Sequence, residues 1–354
     1  MTIPGDLDEL ERLAADRLDP MALEYFARGS GDGITLAANI DAWRRLRLRP
    51  RVLRDVTAVD PSTTVLGAHV SAPVLVAPMA MQRFACDDGE LATARGAANA
   101  GTVMVVSMAA TCSLEDVAAA APGAPRWAQM YLLRDRGRTQ ELAARAGASG
   151  YQAVVACVDG ASVPYGHGGV GNRLVVPASF RFPNLAPPEA PDDPNLLAMV
   201  NDFDPSVTFD DLARFGEWSG LPVVVKGVMR GDDAARCVDA GAVGVCVSNH
   251  GGRIVDGCMA TADVLADVVD AVGGRAEVYV DGGIRRGVDV LGALALGARA
   301  VMVGRPVLWG LAVGGDAGVT AVLESFRAEI ARVMAFCGAA GVSEVTPDLV
   351  GGAG

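Results

Sequence analysis

A series of eight short apolar runs, separated by helical patterns, extends from residue 74 to residue 306. Several runs follow a small-residue stop such as Ala100-Gly101-Thr102, where glycine can take the left-handed conformation that ends a helix before a strand begins. The runs are VLVAPMA (74–80), TVMVVSM (102–108), RWAQMYL (126–132), AVVACVD (153–159), PVVVKGV (222–228), GVCVSNH (244–250), EVYVDGG (277–283) and AVMVGRP (300–306). The sequence therefore predicts a repeated unit of one strand and one helix.

Eight such units with non-alternating apolar strands predict an α/β fold of the (β/α)8, or TIM, barrel type. An open doubly wound sheet is the alternative. Polar or special residues stand at the C-terminal ends of nearly all the runs: Ala80, Ser107, Gln129 with Tyr131, Asp159, Lys226, His250, Asp281 and Arg305. Only a closed barrel brings all eight strand ends around one mouth, so this placement favours the barrel.

The rest of the chain is predicted to surround the barrel within one domain over residues 1–354. Residues 1–73 form a helical lead-in, because Leu7, Leu10 and Leu13 stand at helical spacing and a second helical pattern follows near 21–28. The barrel then extends over 74–340. The proline-rich, acidic stretch 177–206 after the fourth strand is a long loop that we expect to act as a lid.

Composition excludes several classes of function. A net charge of −12 argues against binding nucleic acid or an anionic membrane surface, since both select for clustered Lys and Arg. The seven cysteines are scattered without a CxxC, which indicates neither a disulfide framework nor a zinc site and fits a reducing cytoplasm. The acidic N-terminus and the lack of a long uncharged apolar run predict a soluble, cytoplasmic protein.

Two loops predict a phosphate site. Asp281, Gly283 and Arg285 follow the seventh strand, and Gly304 and Arg305 follow the eighth. Loops at this place in a (β/α)8 barrel commonly hold phosphate with backbone amides and a cation. The glycines could instead serve only as tight turns, with Arg285 in solvent. Because two neighbouring loops agree, the phosphate site is favoured.

The segment SNHGGR at 248–253 predicts a reactive centre, since it places a histidine beside an arginine directly after a buried strand. The chain has only three histidines, His69, His167 and His250, and His250 is the best placed as a base. Lys226 also ends a strand, where a buried ammonium needs a negative partner. A purely structural salt bridge is the alternative role for Lys226.

SNHGGR, VKGV around Lys226, DGGIRRG at 281–287 and VGRP at 303–306 together resemble the FMN-dependent 2-hydroxy-acid oxidase and dehydrogenase family. The resemblance extends from about Tyr25 to the last barrel helix. It implies a homo-oligomer, a tetramer or octamer, that binds FMN, with Lys226 near flavin N1 and O2. The cofactor-binding residues that it implies are Ala80, Ser107, Gln129, Cys157, Lys226, Ser248, Asp281, Gly283, Arg285, Gly304 and Arg305. Cys157 stands where the family usually has threonine.

The resemblance also implies the catalytic roles. His250 is similar to the family's base, and Asp159 to the carboxylate that pairs with it and stabilises the imidazolium. Tyr25 and Tyr131 match tyrosines that contact the substrate's carboxylate and hydroxyl. Arg253 matches the carboxylate clamp, which can bind in bidentate fashion.

The chain departs from the family after strand four, where relatives carry a second carboxylate-binding arginine. Gly166 takes that place here, flanked by Tyr165 and His167. His167 is a candidate replacement, and a solvent-exposed loop histidine is the alternative. Ala109 also stands where some relatives with small substrates place a bulky aromatic, which predicts a wider pocket.

These observations predict oxidation of a 2-hydroxy acid larger than glycolate or lactate to the 2-oxo acid. Membrane-bound dehydrogenases of the family that this chain resembles carry an apolar, basic segment after strand four. The corresponding segment here is proline-rich and acidic, so the resemblance favours a soluble enzyme that uses dioxygen. One alternative is FMN-dependent oxidation of an amine or a carboxylate-modified compound in a secondary-metabolic pathway. Another is a non-catalytic flavin-binding or metabolite-binding protein, which the presence of His250, Asp159 and Lys226 opposes.

Overall fold

The computed structural model describes residues 6–160, 175–177, 179–185 and 202–351, and its centre is a closed barrel of eight parallel strands. The barrel strands are β4 (Val74–Val76), β5 (Met104–Val106), β6 (Arg126–Met130), β7 (Ala153–Cys157), β8 (Val223–Val228), β9 (Gly244–Val247), β10 (Glu277–Val280) and β11 (Ala300–Val303). They pair in chain order, and β11 closes the ring on β4. The predicted (β/α)8 barrel is confirmed, and each predicted run contains one strand.

The strands are shorter than the predicted runs because the last residues of most runs leave the sheet. Asp159, for example, lies two residues beyond the end of β7, and His250 lies three residues beyond the end of β9. These residues bend into the loops at the C-terminal mouth, where side-chain chemistry rather than strand pairing fixes their positions.

Large side chains fill the barrel interior. Trp127 and Tyr279 are fully buried and meet edge to face, with ring centres 5.4 Å apart. The antiparallel hairpin of β2 (Thr63–Val65) and β3 (Ala68–Val70) packs Val65 and Val70 against this interior cluster. Because it includes this hairpin, the lead-in is not wholly helical as predicted.

Helices surround the barrel, and three more lie in the lead-in. They are α1 (Leu7–Ala15), α2 (Pro20–Ala27), α3 (Ile34–Arg45), α4 (Glu90–Asn99), α5 (Leu114–Ala120), α6 (Arg136–Ala148), α7 (Leu212–Ser219), α8 (Gly231–Asp239), α9 (Thr261–Val272), α10 (Gly287–Ala295) and α11 (Arg305–Phe336). Short side chains cap several of them: the Asp6 carboxylate accepts from two backbone amides at the start of α1, and the Ser113 hydroxyl accepts from Asp116 N at the start of α5. The segment joining α3 to the hairpin also contributes β1 (Arg47–Leu48), which pairs with β12 (Val350–Gly351).

Helix α11 is long and apolar enough by length and composition to cross a membrane. It is bent, however, because Gly314 and Gly315 have non-helical backbone angles. Of the most apolar 18-residue window, 61% is buried inside the protein, against α4 and α10 among others. These contacts are those of a core helix, which passes the same test of length and composition.

The predicted lid over 177–206 falls largely outside the described residues. Within the described part, Leu133 and Phe203 form an isolated antiparallel bridge beside the mouth. The lid function therefore stays a prediction.

Candidate active site

Lys226 lies at the mouth with a negative partner, as the sequence requires. Its ammonium is 3.0 Å from Asp281 Oδ2 and donates to Ser248 Oγ at 2.8 Å. The lysine is only 3% exposed, and burial alone would lower its pKa. The Asp281 carboxylate is the largest of several neighbouring charges, Asp159 among them, that together outweigh burial and hold the pKa of Lys226 above its ordinary value. The mouth therefore contains a fixed, buried positive charge.

His250 and Asp159 form a pair at the same mouth. The ring Nδ1 of His250 lies 3.1 Å from Asp159 Oδ1, and the Cys157 thiol donates to the same oxygen at 3.1 Å. Burial opposes the Asp159 carboxylate, but the neighbouring His250 and Lys226 hold its pKa below the ordinary value. Gly227 is required beneath this pair, because a Cβ there would lie 2.6 Å from Asp159 Cγ.

The backbone of the SNHGGR segment explains its composition. His250 itself has a left-handed backbone with φ of 58°, which is uncommon for a residue with a Cβ. The His250 amide donates to Ser248 Oγ at 3.0 Å, and the Gly252 amide donates to Asn249 Oδ1 at 3.1 Å. Gly251 and Gly252 continue with positive φ. These contacts turn the His250 ring from the end of β9 toward Asp159.

Arg253, Tyr25 and Tyr131 complete the polar wall. Arg253 Nη1 donates to the carbonyls of Tyr25 and Arg28 at 2.8 and 3.0 Å, and its guanidinium lies 5.0 Å from the centre of the Tyr25 ring. Tyr131 stacks on Phe203 at 4.2 Å. Burial raises the pKa of both tyrosines, so each phenol keeps its proton and can donate to an anion.

Arg253, Arg285 and Arg305 make the mouth cationic. Within the described part of the chain, none of the three guanidinium groups forms an ion pair with a carboxylate oxygen within 4.0 Å. Arg305 donates instead to the carbonyls of Phe26, Gly251 and Arg28. Burial, together with the charges of Arg253 and Arg285, lowers the pKa of Arg305 to about 9. An anion bound here would relieve this repulsion.

Orphaned polar atoms test whether these residues fit FMN. In the part of the chain that the structure describes, three buried atoms near the mouth make no hydrogen bond: Gln129 Nε2, Asp159 Oδ2 and Asp281 Oδ1. Buried polar atoms are normally paired, so their partners are expected from a ligand. Gln129 can donate to a flavin carbonyl, and Asp281 can accept from a ribityl hydroxyl. Gly304 is the N-cap residue of α11, and the N-terminus of this helix at Arg305 favours phosphate. The residues fit FMN.

The remaining predicted cofactor residues border the same mouth. Ser107 Oγ lies 3.2 Å from Gln129 Oε1, which orients the Gln129 amide. Ala80 is partly buried between β4 and the next helical turn. Gly283 is buried behind Asp281 with φ of 79°. The structure thus brings all the described candidates to one end of the barrel.

The structure distinguishes the described histidines by their position relative to the mouth. His69 is exposed on β3, in the hairpin that packs against the barrel interior, and not in the C-terminal loops that form the mouth. His167, with Tyr165 and Gly166, lies outside the described residues. Of the two described histidines, only His250 faces the mouth.

Sequence reasoning missed two contacts. It did not place Asn39 of α3, which is fully buried against Asn249. It also did not foresee that Cys157 shares an oxygen of Asp159 with His250. The sulfur, carboxylate and ring nitrogen atoms lie within 4.8 Å of one another, a spacing that suits a divalent metal. The charge of Lys226 beside them disfavours a second cation.

Comparisons with known proteins agree with this geometry. The family model of FMN-dependent dehydrogenases matches residues 14–351. An L-lactate oxidase of Nostoc sp. is 45% identical over 352 residues, which cover 97% of this chain and 96% of that protein. A mandelate oxidase solved with (S)-4-hydroxymandelic acid superposes with a TM-score of 0.90 at 38% identity, covering 98% of each chain.

A second mandelate oxidase structure carries leucine in place of one arginine and holds 2-hydroxy-phenylacetamide. It superposes with a TM-score of 0.87 at 38% identity, over 99% of this chain and 98% of that one. The resemblance stated from the motifs is confirmed, and FMN as cofactor with it. The chain belongs to the FMN-dependent dehydrogenase family, as an oxidoreductase of the 2-hydroxy-acid oxidase type.

Proposed function

We propose that the protein oxidises a 2-hydroxy acid larger than glycolate or lactate to the 2-oxo acid, with His250 as base and dioxygen as electron acceptor. The observation that carries the proposal is the His250–Asp159 pair, which opens on the same mouth as Arg253 and the two tyrosines. This arrangement offers a proton acceptor and a carboxylate clamp to one small molecule.

The base acts through a defined atom. Because Nδ1 of His250 faces Asp159, the hydrogen bond assigns a proton to Nδ1 and leaves Nε2 to take the substrate's proton. The Asp159 carboxylate then lies next to the imidazolium and stabilises it. Its lowered pKa keeps Asp159 ionised for this role.

FMN supplies the acceptor for the electron pair of the substrate when it is bound. Lys226 supplies a buried positive charge at the strand end, and Asp281 and Ser248 hold the ammonium in place. Because Asp281 keeps Lys226 protonated, that charge is available throughout the neutral range. Gln129 orients the flavin side of the site through its unpaired amide nitrogen.

Arg253 binds the substrate carboxylate in the proposed complex. Its Nη1 is engaged by the carbonyls of Tyr25 and Arg28, which fixes the guanidinium plane. The remaining donors of Arg253 can hold a carboxylate. Tyr131 donates its phenol proton to the substrate hydroxyl or carboxylate oxygen, and its stacking on Phe203 fixes the ring.

Two features support a large substrate. Ala109 is partly buried beside the mouth and presents only a methyl group. With Gly166 in place of the second arginine, a small carboxylate loses one charge-assisted hydrogen bond, worth roughly 1.5 to 3 kcal/mol. A substrate with an apolar body can recover that loss by burying area over Ala109.

A second candidate is a 2-hydroxy acid derivative without a full carboxylate. The mandelate oxidase structure with leucine in place of one arginine holds 2-hydroxy-phenylacetamide, a carboxamide. A single clamp at Arg253 is compatible with such a neutral group. Retention of Arg253 favours the carboxylate as the first candidate.

Anaerobic bleaching of the flavin by a substrate panel tests the proposal. We expect fast reduction by mandelate or a long-chain 2-hydroxy acid, slow reduction by glycolate and lactate, and hydrogen peroxide on admission of air. Faster reduction by 2-hydroxy-phenylacetamide than by mandelate would favour the second candidate. His250→Asn, run in parallel, should retain FMN and reduce at least about 100-fold more slowly. Reduction at the parent rate would refute His250 as base.

A further inference from the structure

Asn39 of the lead-in helix α3 forms a reciprocal amide pair with Asn249, the residue before the proposed base. Asn39 Nδ2 donates to Asn249 Oδ1 at 2.8 Å, and Asn249 Nδ2 donates to Asn39 Oδ1 at 2.8 Å. Asn39 is fully buried, and Asn249 is 6% exposed. Buried paired amides hold their geometry firmly, because breaking the pair leaves unsatisfied polar atoms.

The same residue contacts the loop after β10. A Cβ on Gly283 would lie 2.2 Å from the Asn39 carbonyl oxygen, so this loop packs directly on the α3 backbone. A Cβ on Gly282 would lie 3.2 Å from Asn39 Nδ2. Thr261 links the two contacts, since its amide donates to Asn39 Oδ1 at 3.2 Å and its hydroxyl donates to the Asp281 carbonyl at 2.6 Å.

We propose that Asn39 is a positioning residue that fixes the loop of the base, Ser248–Arg253, to the phosphate loop, Asp281–Arg285. The inference rests on the proposed role of His250 as base. Through its contacts with both loops, Asn39 would set the distance between the proton acceptor and the bound cofactor, although it lies outside the barrel.

The amide is the group that this position requires. Asn249 Oδ1 also accepts from Gly252 N, and Asn249 Nδ2 also donates to the Met259 carbonyl. Asn39 must therefore present both a donor and an acceptor to Asn249, which neither a carboxylate nor an apolar side chain does. The left-handed backbone of His250, next in sequence, persists because such external contacts hold it.

Loss of the amide pair should affect the proton transfer more than the binding of FMN. A base displaced by about 1 Å can lose about 100-fold in rate. Lys226 and Arg285, which would hold the flavin and its phosphate, bond to Ser248 and to the Ile284 carbonyl rather than to Asn39. We therefore expect slow reduction by substrate in a protein that still binds FMN.

A double-mutant cycle with Asn39→Ala, Asn249→Ala and the double variant tests the proposal, with each protein saturated with FMN. The limiting rate of anaerobic reduction should fall about 10- to 100-fold in each single variant. The double variant should be slowed by much less than the product of the two single-variant factors, because the same amide pair is removed in all three. The affinity of the FMN-saturated protein for sulfite should stay within about twofold of the parent value, because sulfite binding does not require the base.

Arg45→Gln is the matched control. Arg45 also ties α3 to α9, through an exposed ion pair with Asp263, but it does not touch the loop of the base. Its reduction rate should equal that of the parent, since exposed pairs contribute little. Should Asn39→Ala fail to fold, Asn39→Asp keeps the size of the side chain, replaces the amide donor by an acceptor and adds a negative charge, and flavin reduction in this variant should also slow.

Parent-rate reduction in FMN-saturated Asn39→Ala or Asn39→Asp would overturn the inference, and so would single-variant factors that multiply in the double variant. Equal losses of rate and sulfite affinity would also overturn it, by showing general damage. His250→Asn separates the two proposals. If it reduces at the parent rate, the proposed base is wrong. If flavin reduction stays at the parent rate only in the Asn39 variants, the positioning role of Asn39 is wrong and the role of His250 as base stands.

Discussion

Replacing Asp159 by asparagine should slow flavin reduction by removing the charge beside the proposed base while keeping the shape of the side chain. Asp159 Oδ1 lies 3.1 Å from His250 Nδ1, and the two side chains are 11% and 26% exposed. The variant retains an oxygen that can accept from Nδ1. The perturbation is therefore mainly the loss of one negative charge.

The size of the effect follows from this distance. Two unit charges 3.1 Å apart attract by about 5 kcal/mol at an effective dielectric of about 20. Solvent at the partly exposed His250 reduces this value, and the remaining hydrogen bond retains about 1 kcal/mol. A net loss of about 2 to 3 kcal/mol in imidazolium stabilisation gives a reduction rate about 30- to 160-fold lower. His250→Asn should lose more.

Stopped-flow reduction under anaerobic conditions, at saturating substrate, measures this rate directly. Asp211→Asn is the matched control, because Asp211 is a similarly buried carboxylate, 8% exposed and paired with Arg136 outside the mouth. The control should reduce at the parent rate. A rate for Asp159→Asn within about threefold of the parent would refute the electrostatic argument, since no charge effect of this size could then act on His250.

Three further predictions follow from the site. Arg285→Ala should weaken FMN binding about 10-fold or more and leave riboflavin binding unchanged, which fluorescence titration of the apoprotein would show, because riboflavin lacks the phosphate. Ala109→Tyr should lower kcat/KM for mandelate more than for glycolate; an equal effect would contradict the wide pocket. Since Asp159 has a lowered pKa, its charge is lost only as the pH falls through that lowered value. Asp159 should therefore contribute no acid limb to the pH profile of the reduction rate at or above the ordinary aspartate pKa of about 3.9, and a limb there that Asp159→Asn removes would contradict this.

The barrel could be predicted because its strands carry their own signal, an apolar run that ends in a polar residue. The need of Lys226 for a negative partner was also foreseeable from local sequence. The identity of that partner was not, because Asp281 directly follows a strand two positions around the ring, and only the barrel register brings the two strand ends together. The Lys226–Asp281 pair therefore depends on closure of the barrel and cannot be read from either segment alone.

In the lead-in, less of the structure could be predicted from the sequence than in the barrel. Its helical spacing identified α1 and α2, but the hairpin of β2 and β3 is too short to show a strand pattern. Asn39 had no distinguishing signal, since a polar residue in a helix is usually in solvent. Its role depends on contacts with residues more than 200 positions away, at Asn249 and Thr261. Such contacts are set by tertiary packing alone.

The shared oxygen of Asp159 has a consequence for chemical durability. An oxidase that passes electrons to dioxygen releases hydrogen peroxide beside its own side chains, and peroxide attacks thiolates rather than thiols. Burial, reinforced by the Asp159 charge, raises the pKa of Cys157 well above its ordinary value. The sulfur next to the base thus stays protonated during turnover. In the proposed reaction, Asp159 would both stabilise the charged base and protect the neighbouring cysteine from peroxide.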